Sequence, residues 1–187
     1  MVINNFMISL RSKATVKILN YYFLNPHAAH YINELARLLD LDPKNADRAL
    51  KKLEEEGILA SEFKGKERYF SLLKNAPLVK HFRAVFLRTA GFEEQLRAAL
   101  KKVAGIEAAY IFGSYAKKTM DAASDIDLAV IGSHTALDLR RALHSLQKNS
   151  GREINAVSLT SAELRQKKRE RNPFIRKVFA GQTIKIL

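Results

Sequence analysis

Two apolar runs of strand length, each with polar residues at one end, constrain the fold of this chain most. The first run, residues 108–112, leads directly into Gly113-Ser114. The second starts at Asp125-Ile126-Asp127 and continues through four apolar residues, which is typical of a strand buried on both faces. Because strand side chains alternate between faces, Asp125 and Asp127 are predicted to project from the same face.

The residue types at these strand ends favour chemistry on phosphates. Two neighbouring carboxylates repel each other, so a cation or a proton between them is expected. Mg²⁺ suits this arrangement, because it binds one or two carboxylates together with substrate phosphates. Gly113 lets the backbone approach a phosphate, and Ser114 with the N–H groups that follow it can bind one. The pattern therefore predicts a metal-dependent phosphate site.

The same residues resemble a known family. Gly113-Ser114, ten intervening residues and then Asp125-Ile126-Asp127-Leu128 are similar to the motif of the polymerase-beta-type nucleotidyltransferases in their minimal, prokaryotic form. Tyr115-Ala116 and Ser124 fit that motif as well. The resemblance implies a mixed β-sheet with helices packed on one side, and Mg²⁺ and a nucleoside triphosphate as ligands. It assigns Asp125 and Asp127 to metal binding and catalysis, and Gly113 and Ser114 to the phosphates.

Two positions depart from the family pattern. The family has a third acidic residue on the next strand, where this chain has Asn155, which cannot act as a general base. Glu153 lies two residues earlier and would have to replace it; the alternative is an ordinary carboxylate at a strand end. Lys117-Lys118 stand where the family tends to have Arg-Gly, and they either neutralise a triphosphate or lie in an exposed loop. Transfer activity therefore stays an open question.

Composition limits the class of protein. The chain has 187 residues, no cysteine and no apolar stretch of 18 residues, so we expect no disulfide, no thiolate zinc site and no membrane span. The apolar start lacks a basic leader and a cleavage site, and a cytoplasmic protein is expected. The net charge of +13 favours polyanionic partners. Residues 1–76 hold 12 basic and 9 acidic residues, and residues 77–187 hold 20 and 10.

The first part of the chain predicts three helices and a hairpin. Helices are expected over residues 12–24, 31–39 and 43–56, with Asp42 and Pro43 starting the third. Strand-like runs follow at residues 58–63 and 68–73. This order is that of a winged helix-turn-helix, and residues 31–73 resemble the ArsR- and MarR-like prokaryotic regulators. The match is strongest in Leu50-Lys51-Lys52-Leu53-Glu54-Glu55-Glu56-Gly57-Ile58-Leu59.

The third helix and the hairpin carry the candidate contacts to double-stranded DNA. On the helix, one outward face is expected to meet base edges and phosphates, and the hairpin is expected to hold the backbone or the minor groove. The candidate residues are Lys44, Asn45, Arg48, Lys51, Lys52, Lys64, Lys66 and Arg68. The alternatives are a solvated charged face, or a winged helix that serves as a protein–protein or dimer surface.

The remaining segments connect and extend these parts. Residues 77–103 predict one long apolar-striped helix, which Gly91 could interrupt. It is expected to join the domains and to pack on one or both of them, or on the second subunit of a homodimer. The densest basic run is residues 165–171, which either contacts nucleic acid or an acidic partner or forms a solvated helix.

These observations predict a two-domain α+β protein. Residues 1–76 would form the winged helix-turn-helix, residues 77–103 the connecting helix, and residues 104–187 the nucleotidyltransferase-like domain. The hypothesis is a DNA-binding transcriptional regulator whose second domain binds Mg²⁺ and a nucleoside triphosphate and transfers a nucleotidyl group. One alternative is a catalytically silent nucleotide sensor, and another is an interaction module. The resemblance also implies a toxin-like protein partner as one of the targets of such domains.

Overall fold

The structure, a computed structural model, describes residues 10–179 and 181–187 and divides the chain into two units. Unit 1 is the described part of Met1–Phe92 together with Lys148–Gly151. Unit 2 is the described part of Glu93–Gln147 and Arg152–Leu187. Each unit has its own sheet.

Unit 1 contains helices at the predicted places and a three-stranded sheet. Ser12 starts the first helix by accepting a hydrogen bond from the N–H of Thr15, and Asp42 starts the third by accepting one from the N–H of Asn45. A short strand before the second helix was not predicted from the sequence. The elements are α1 (Lys13–Leu24), β1 (Ala29–Tyr31), α2 (Ile32–Leu39), α3 (Pro43–Glu55), β2 (Leu59–Lys64), β3 (Glu67–Leu72) and α4 (Pro77–Thr89).

The core of unit 1 joins its helices to its antiparallel sheet, whose strand order is β1-β3-β2. Tyr22 is fully buried and donates its hydroxyl to the carbonyl oxygen of Phe70 on β3, over 2.8 Å. Burial raises the pKa of Tyr22 well above its usual range, so the hydroxyl stays a donor. Fully buried leucines of the second and third helices complete this core: Leu35, Leu39, Leu50 and Leu53.

The predicted long helix over residues 77–103 is interrupted as the sequence allowed, and forms two helices. α4 ends at Thr89, and α5 (Phe92–Leu100) starts after Gly91. A Cβ at position 91 would lie 2.8 Å from the Phe86 ring and 2.9 Å from the backbone of Leu87, so only glycine fits against the last turn of α4. The N–H of Gly91 donates to the carbonyl oxygen of Phe86 over 2.7 Å, which closes that turn.

Unit 2 is built on a mixed sheet with strand order β6-β5-β4-β7, in which β5 and β6 are parallel and the other pairs of described strands are antiparallel. Ile126, Leu128 and Val130 on one face of β5 are buried, and so are Ala129 and Ile131 on the other. The prediction of a strand covered on both faces is therefore confirmed. The elements after α5 are β4 (Ile106–Phe112), α6 (Gly113–Lys117), β5 (Ile126–Gly132), α7 (Ala136–Ser150), β6 (Ile154–Leu159), α8 (Ser161–Arg169), α9 (Pro173–Phe179) and β7 (Ile184–Lys185).

The register of the sheet brings the candidate residues together. Phe112, the last residue of β4, is paired with Asp127 on β5, and Asp127 is paired with Asn155 on β6. Asp125 lies one residue before β5, rather than in the strand as predicted. Within residues 10–179 and 181–187, no helix has the length and apolar character needed to cross a membrane.

Candidate functional site

Gly113 and Asp127 are packed so closely that position 113 has no room for a side chain. A Cβ on Gly113 would lie 2.1 Å from Oδ2 of Asp127. Gly113 also has a φ of +72°, in the left-handed region that glycine adopts without strain. The end of β4 therefore turns into α6 directly against the carboxylate, which is half-buried.

Asn155 occupies the position next to the carboxylate pair where the sequence pattern expects a third acid. Its side-chain Nδ2 donates to Oδ2 of Asp125 over 3.0 Å, and its backbone is in register with Asp127. The amide therefore satisfies one oxygen of the exposed Asp125 with a neutral donor.

Arg152, which sequence analysis did not assign to the site, positions the loop that carries Asp125. Its guanidinium is buried and donates through Nη1 to the carbonyl oxygens of Ala122 and Ser124, over 2.9 and 2.8 Å. The loop is also closed by Asp121, whose Oδ1 accepts from the Ser124 hydroxyl over 2.7 Å. That hydrogen bond, with the charge of Arg152 as a smaller cause, lowers the pKa of Asp121. Asp125 is thus presented by an ordered turn.

The short helix that follows Gly113 is fixed by a buried contact. Tyr115 donates its hydroxyl to Oε1 of Glu93 over 3.2 Å, and only 6% of Glu93 is exposed. Nothing local in the sequence pairs these residues, so Glu93 was also missed. The Ser114 hydroxyl makes no hydrogen bond within the described part of the chain, and it is free to donate to a ligand.

The two lysines after Tyr115-Ala116 differ in backbone conformation. Lys117 is the last residue of α6, whereas Lys118 has a φ of +60°, in the left-handed region. This conformation explains the glycine that the family tends to carry here, because a left-handed residue after a helix end favours glycine. Lys117 and Lys118 are both exposed, and neither forms an ion pair with a described residue.

The residues present fit one metal ion bound through two carboxylates and substrate phosphates. Asp125 and Asp127 provide hard oxygen ligands of the kind that Mg²⁺ prefers. In the described residues no group of three or more His, Cys, Asp or Glu side chains that could hold a metal ion is found. Glu153 is exposed, and its carbonyl oxygen accepts the N–H of Ile126 over 2.9 Å.

The outward face of α3 carries free cations in unit 1. Lys44, Arg48 and Lys52 are exposed, and their side chains form no hydrogen bond or ion pair with any residue of the described segments. Arg48 and Lys52 line a concavity of about 470 Å³ with Asn45 and with Lys13, which the sequence did not single out. This surface can accept phosphates without first breaking an internal contact.

Other predicted DNA contacts are engaged within unit 1. Lys51 forms an ion pair with Asp47 over 3.0 Å, and Lys64 forms one with Glu62 over 2.8 Å. The hydrogen bond that Lys64 donates to Glu62 raises the pKa of Lys64. Lys66, at the tip of the hairpin, is exposed and forms no ion pair with a described residue.

Arg68 is held in place by an ion pair and a hydrogen bond within unit 1. Its Nη2 lies 2.6 Å from Oε2 of Glu54 on α3, and its Nε donates to the Ser61 hydroxyl over 2.8 Å. Ser61 in turn donates to Oε1 of Glu54 over 2.5 Å. Arg68 therefore joins the hairpin to the helix, and its predicted contact with DNA competes with these bonds.

Comparison with known proteins agrees with the geometry of unit 2. The family model described as "Polymerase beta, Nucleotidyltransferase" matches residues 94–178. The matched residues lie in unit 2, whose mixed sheet and helices are consistent with a nucleotidyltransferase fold. No curated protein matches the chain.

Solved structures show weaker likenesses. Reduced HlyU from Vibrio cholerae N16961 is 16% identical, with 43% of this chain and 80% of that chain covered and a TM-score of 0.35. A toxin-antitoxin with AMP-PNP is 19% identical, with 51% and 72% covered and a TM-score of 0.38. A protein provisionally described as a nucleotidyltransferase from Sulfolobus solfataricus is 15% identical, with 60% and 89% covered and a TM-score of 0.32. Since all three TM-scores are below 0.5, we draw nothing about function from them.

Proposed function

We propose that this protein is a DNA-binding regulator whose nucleotidyltransferase-like domain binds a nucleoside triphosphate together with Mg²⁺. The observation that carries the nucleotide site is the packing of Gly113 against Asp127, where a Cβ would lie 2.1 Å from the carboxylate oxygen. This contact holds the start of α6 directly against a carboxylate of the kind that binds Mg²⁺, and phosphates bound by that metal would lie beside the first N–H groups of α6.

Each residue of the site has a separate task in this proposal. Asp125 and Asp127 would hold Mg²⁺, which neutralises phosphate charge when it is bound. The free Ser114 hydroxyl donates to a phosphate oxygen, and the exposed Lys117 and Lys118 add positive charge. Arg152 acts indirectly, by fixing the loop in front of Asp125.

Asn155 favours binding without efficient transfer. In-line nucleotidyl transfer needs a group that takes the proton from the attacking hydroxyl, and an amide cannot take it. The hydrogen bond from Asn155 to Asp125 supports a site that holds its ligand with two carboxylates. A nucleotide sensor is therefore the second candidate function, and the variant Asn155→Asp distinguishes it from an active transferase.

The DNA-binding part of the proposal rests on the free cations of α3. α3 would enter the major groove, where Arg48 and Asn45 reach base edges and Lys44 and Lys52 contact phosphates. Lys64 and Lys66 would hold the backbone beside it. Loss of duplex binding on Arg48→Ala, with a strong dependence on salt, is the expected result in an electrophoretic shift experiment.

A homodimer suits a regulator of this kind, because a two-fold DNA site needs two copies. On α4, Leu78 and Val85 are seven residues apart, hence on one helix face, and they are 51% and 59% exposed. Covering these side chains with a second copy would remove apolar surface from water. Sedimentation of the protein and of Val85→Glu tests this part separately.

Calorimetric titration tests the nucleotide site directly. The protein is titrated with ATP, GTP, CTP and UTP, with and without Mg²⁺, beside the double variant Asp125→Asn/Asp127→Asn. Binding that requires Mg²⁺ and is lost in the variant is the expected result. If no nucleotide binds, the domain retains only its fold, and the proposal for unit 2 is wrong.

A further inference from the structure

α8 and α9 form a basic cleft that the proposed nucleotide site does not use. The cleft has a volume of about 510 Å³, and its lining includes Lys167, Lys168, Arg171 and Arg176 but no Asp or Glu. Phe179 contributes one wall. Four cations therefore converge on one concavity in the same domain as the carboxylate pair.

Three of these cations make no direct polar contact with a described residue, and Lys167 acts on Glu163 only through its charge. The side chains of Lys167, Arg171 and Arg176 form no hydrogen bond or ion pair in the described part of the chain. The nearby Glu170 instead accepts a hydrogen bond from Gln166 over 2.8 Å. Like charges that face one cleft without neutralisation repel each other, and a bound polyanion removes that repulsion.

Arg171 stands at a backbone position that favours glycine. It has a φ of +52°, and its N–H donates to the carbonyl oxygen of Lys168 over 3.2 Å, which closes the end of α8. Side chains other than glycine are strained in this conformation. The arginine side chain therefore does not stabilise the turn. It contributes a positive charge to the cleft.

The positive charge extends beyond the cleft along α8. Residues 165–176 hold six basic residues and one acidic residue. Arg165 and Lys168 are three residues apart on α8, so they lie on neighbouring turns of one helix face, and Arg171 follows in the turn after the helix. A row of cations longer than one cleft suits a chain of successive phosphates better than a single small anion.

The shape and the aromatic wall distinguish between kinds of nucleic acid. A concavity of about 510 Å³ admits a single strand, whereas a duplex presents a convex rod that stays outside. The Phe179 ring is covered by Lys168, whose Nζ lies 4.9 Å from the ring centre, and it is in edge contact with Tyr110. The ring is thus not a bare stacking platform, and contacts to the backbone would dominate.

We propose that the α8–α9 cleft binds the phosphate backbone of a single-stranded nucleic acid, largely without regard to sequence. This surface is separate from the α3 face proposed for duplex DNA and from the residues proposed for the nucleotide. It gives the nucleotidyltransferase-like domain its own polyanionic partner.

Fluorescence anisotropy of the full chain with a fluorescein-labelled 12-nucleotide oligouridylate tests the proposal. The variant is Arg171→Gly/Arg176→Gln, and the matched control is Arg140→Gln/Arg141→Gln, which removes two exposed arginines from α7 in the same domain. We expect at least about a fivefold loss of affinity in the cleft variant and little change in the control. The slope of log affinity against log salt should fall by about 1.4, since each single-strand phosphate contact contributes about 0.7.

Three results would overturn the proposal. Equal losses in the cleft variant and the control would mean that only net charge matters. Equal affinity for inorganic triphosphate and for 4- and 12-nucleotide oligomers would make the cleft a small-anion site. Loss of oligouridylate binding in Arg48→Ala, with the cleft variant unchanged, would assign the strand to α3.

Two further variants separate this proposal from the others and from misfolding. Arg171→Gly alone should bind the oligomer less tightly while its melting temperature stays equal or rises, because the turn is relieved of strain. Asp125→Asn/Asp127→Asn should retain oligouridylate binding even where nucleotide binding is lost. The cleft proposal can therefore be tested even if the proposal for the nucleotide site is wrong.

Discussion

Asn155 donates its side-chain amide to Asp125, with Nδ2 and Oδ2 3.0 Å apart. A neutral amide thus sits beside two carboxylates at a position where a third carboxylate would complete the site. Both the chemistry expected of the domain and its sharpest test depend on this contact.

Replacing Asn155 by Asp should create or strongly raise nucleotidyl transfer. An aspartate at this position would supply the missing proton acceptor, and such groups contribute typically about 10²–10⁴-fold to rate. Pyrophosphate release from ATP in the presence of Mg²⁺ and the nucleic acid or protein under test measures the effect. Asn155→Ser is the control, since it removes the amide without adding a carboxylate.

Without metal, the same substitution should destabilise the domain. Asp125, Asp127 and the new carboxylate would repel one another, and Mg²⁺ would offset the repulsion. The melting temperature of the variant should therefore rise with Mg²⁺ more than that of the parent protein. Equal responses of the two proteins would contradict the placement of residue 155 at the metal site.

Gly113→Ala should lose nucleotide binding and stability together. The added Cβ would meet Asp127 Oδ2 at 2.1 Å, and the positive φ at 113 would be strained. We expect a loss of about 1–3 kcal/mol in the free energy of unfolding. Urea unfolding measures the stability, and calorimetry measures the nucleotide. Ser114→Ala, which removes only a free hydroxyl, should weaken nucleotide binding and leave the unfolding midpoint unchanged.

The sequence was sufficient to predict that Asp125, Asp127 and residue 155 lie in one site, because the register of neighbouring strands brings them together. The apolar runs predicted β4 and β5, and their pairing aligns the end of one with the start of the other. Asn155 was predicted from the pattern of the next strand, and it does lie against Asp125. The alternation of side chains along a strand, and the pairing of strands that follow one another in the chain, can both be predicted from the sequence.

Contacts that depend on tertiary packing could not be predicted in this way. Arg152 holds the loop carbonyl of Ala122, 30 residues earlier, and Tyr115 reaches Glu93, 22 residues earlier. Separations of 30 and 22 residues do not follow from the repeat of a helix or a strand, so no sequence pattern predicts these two pairs. Arg68 illustrates the same limit, since its charge indicated a surface contact while Glu54 on α3 engages it.

Lys118→Gly and Lys117→Gly should change stability in opposite directions. Lys118 has a positive φ, so glycine there relieves strain and should stabilise by up to about 1 kcal/mol. Lys117 is helical, so glycine there should destabilise by about 0.8–1 kcal/mol. Thermal unfolding gives both values. If the lysines bind phosphate, both variants should weaken triphosphate binding despite the opposite signs in stability.

Arg68→Ala and Arg48→Ala should separate a structural arginine from a DNA-binding one. Arg68 bridges Glu54 and Ser61, so its removal should cost about 1 kcal/mol of stability. Arg48 has no partner in the part of the chain that the structure describes, so its removal should leave the melting temperature unchanged and weaken duplex DNA binding. The assignment fails if Arg48→Ala unfolds earlier than Arg68→Ala.

Glu163 should make the stability of unit 2 depend on pH in the acid range. Glu163 accepts hydrogen bonds from the N–H and hydroxyl of Thr160 at the start of α8, and these bonds lower its pKa below the ordinary 4.5. A carboxyl whose pKa is lower in the folded state stabilises the fold above its unfolded pKa. That contribution is lost as the pH falls through the folded pKa.

The matched variant is Glu163→Gln, which keeps the shape of the side chain but does not titrate. Above the ordinary pKa of 4.5 the free energy of unfolding should exceed that of the variant by a constant amount, and below it the difference should shrink. Urea unfolding at a series of pH values measures both proteins. A difference that is independent of pH would mean that the charge of Glu163 contributes nothing, and that Thr160 alone starts the helix.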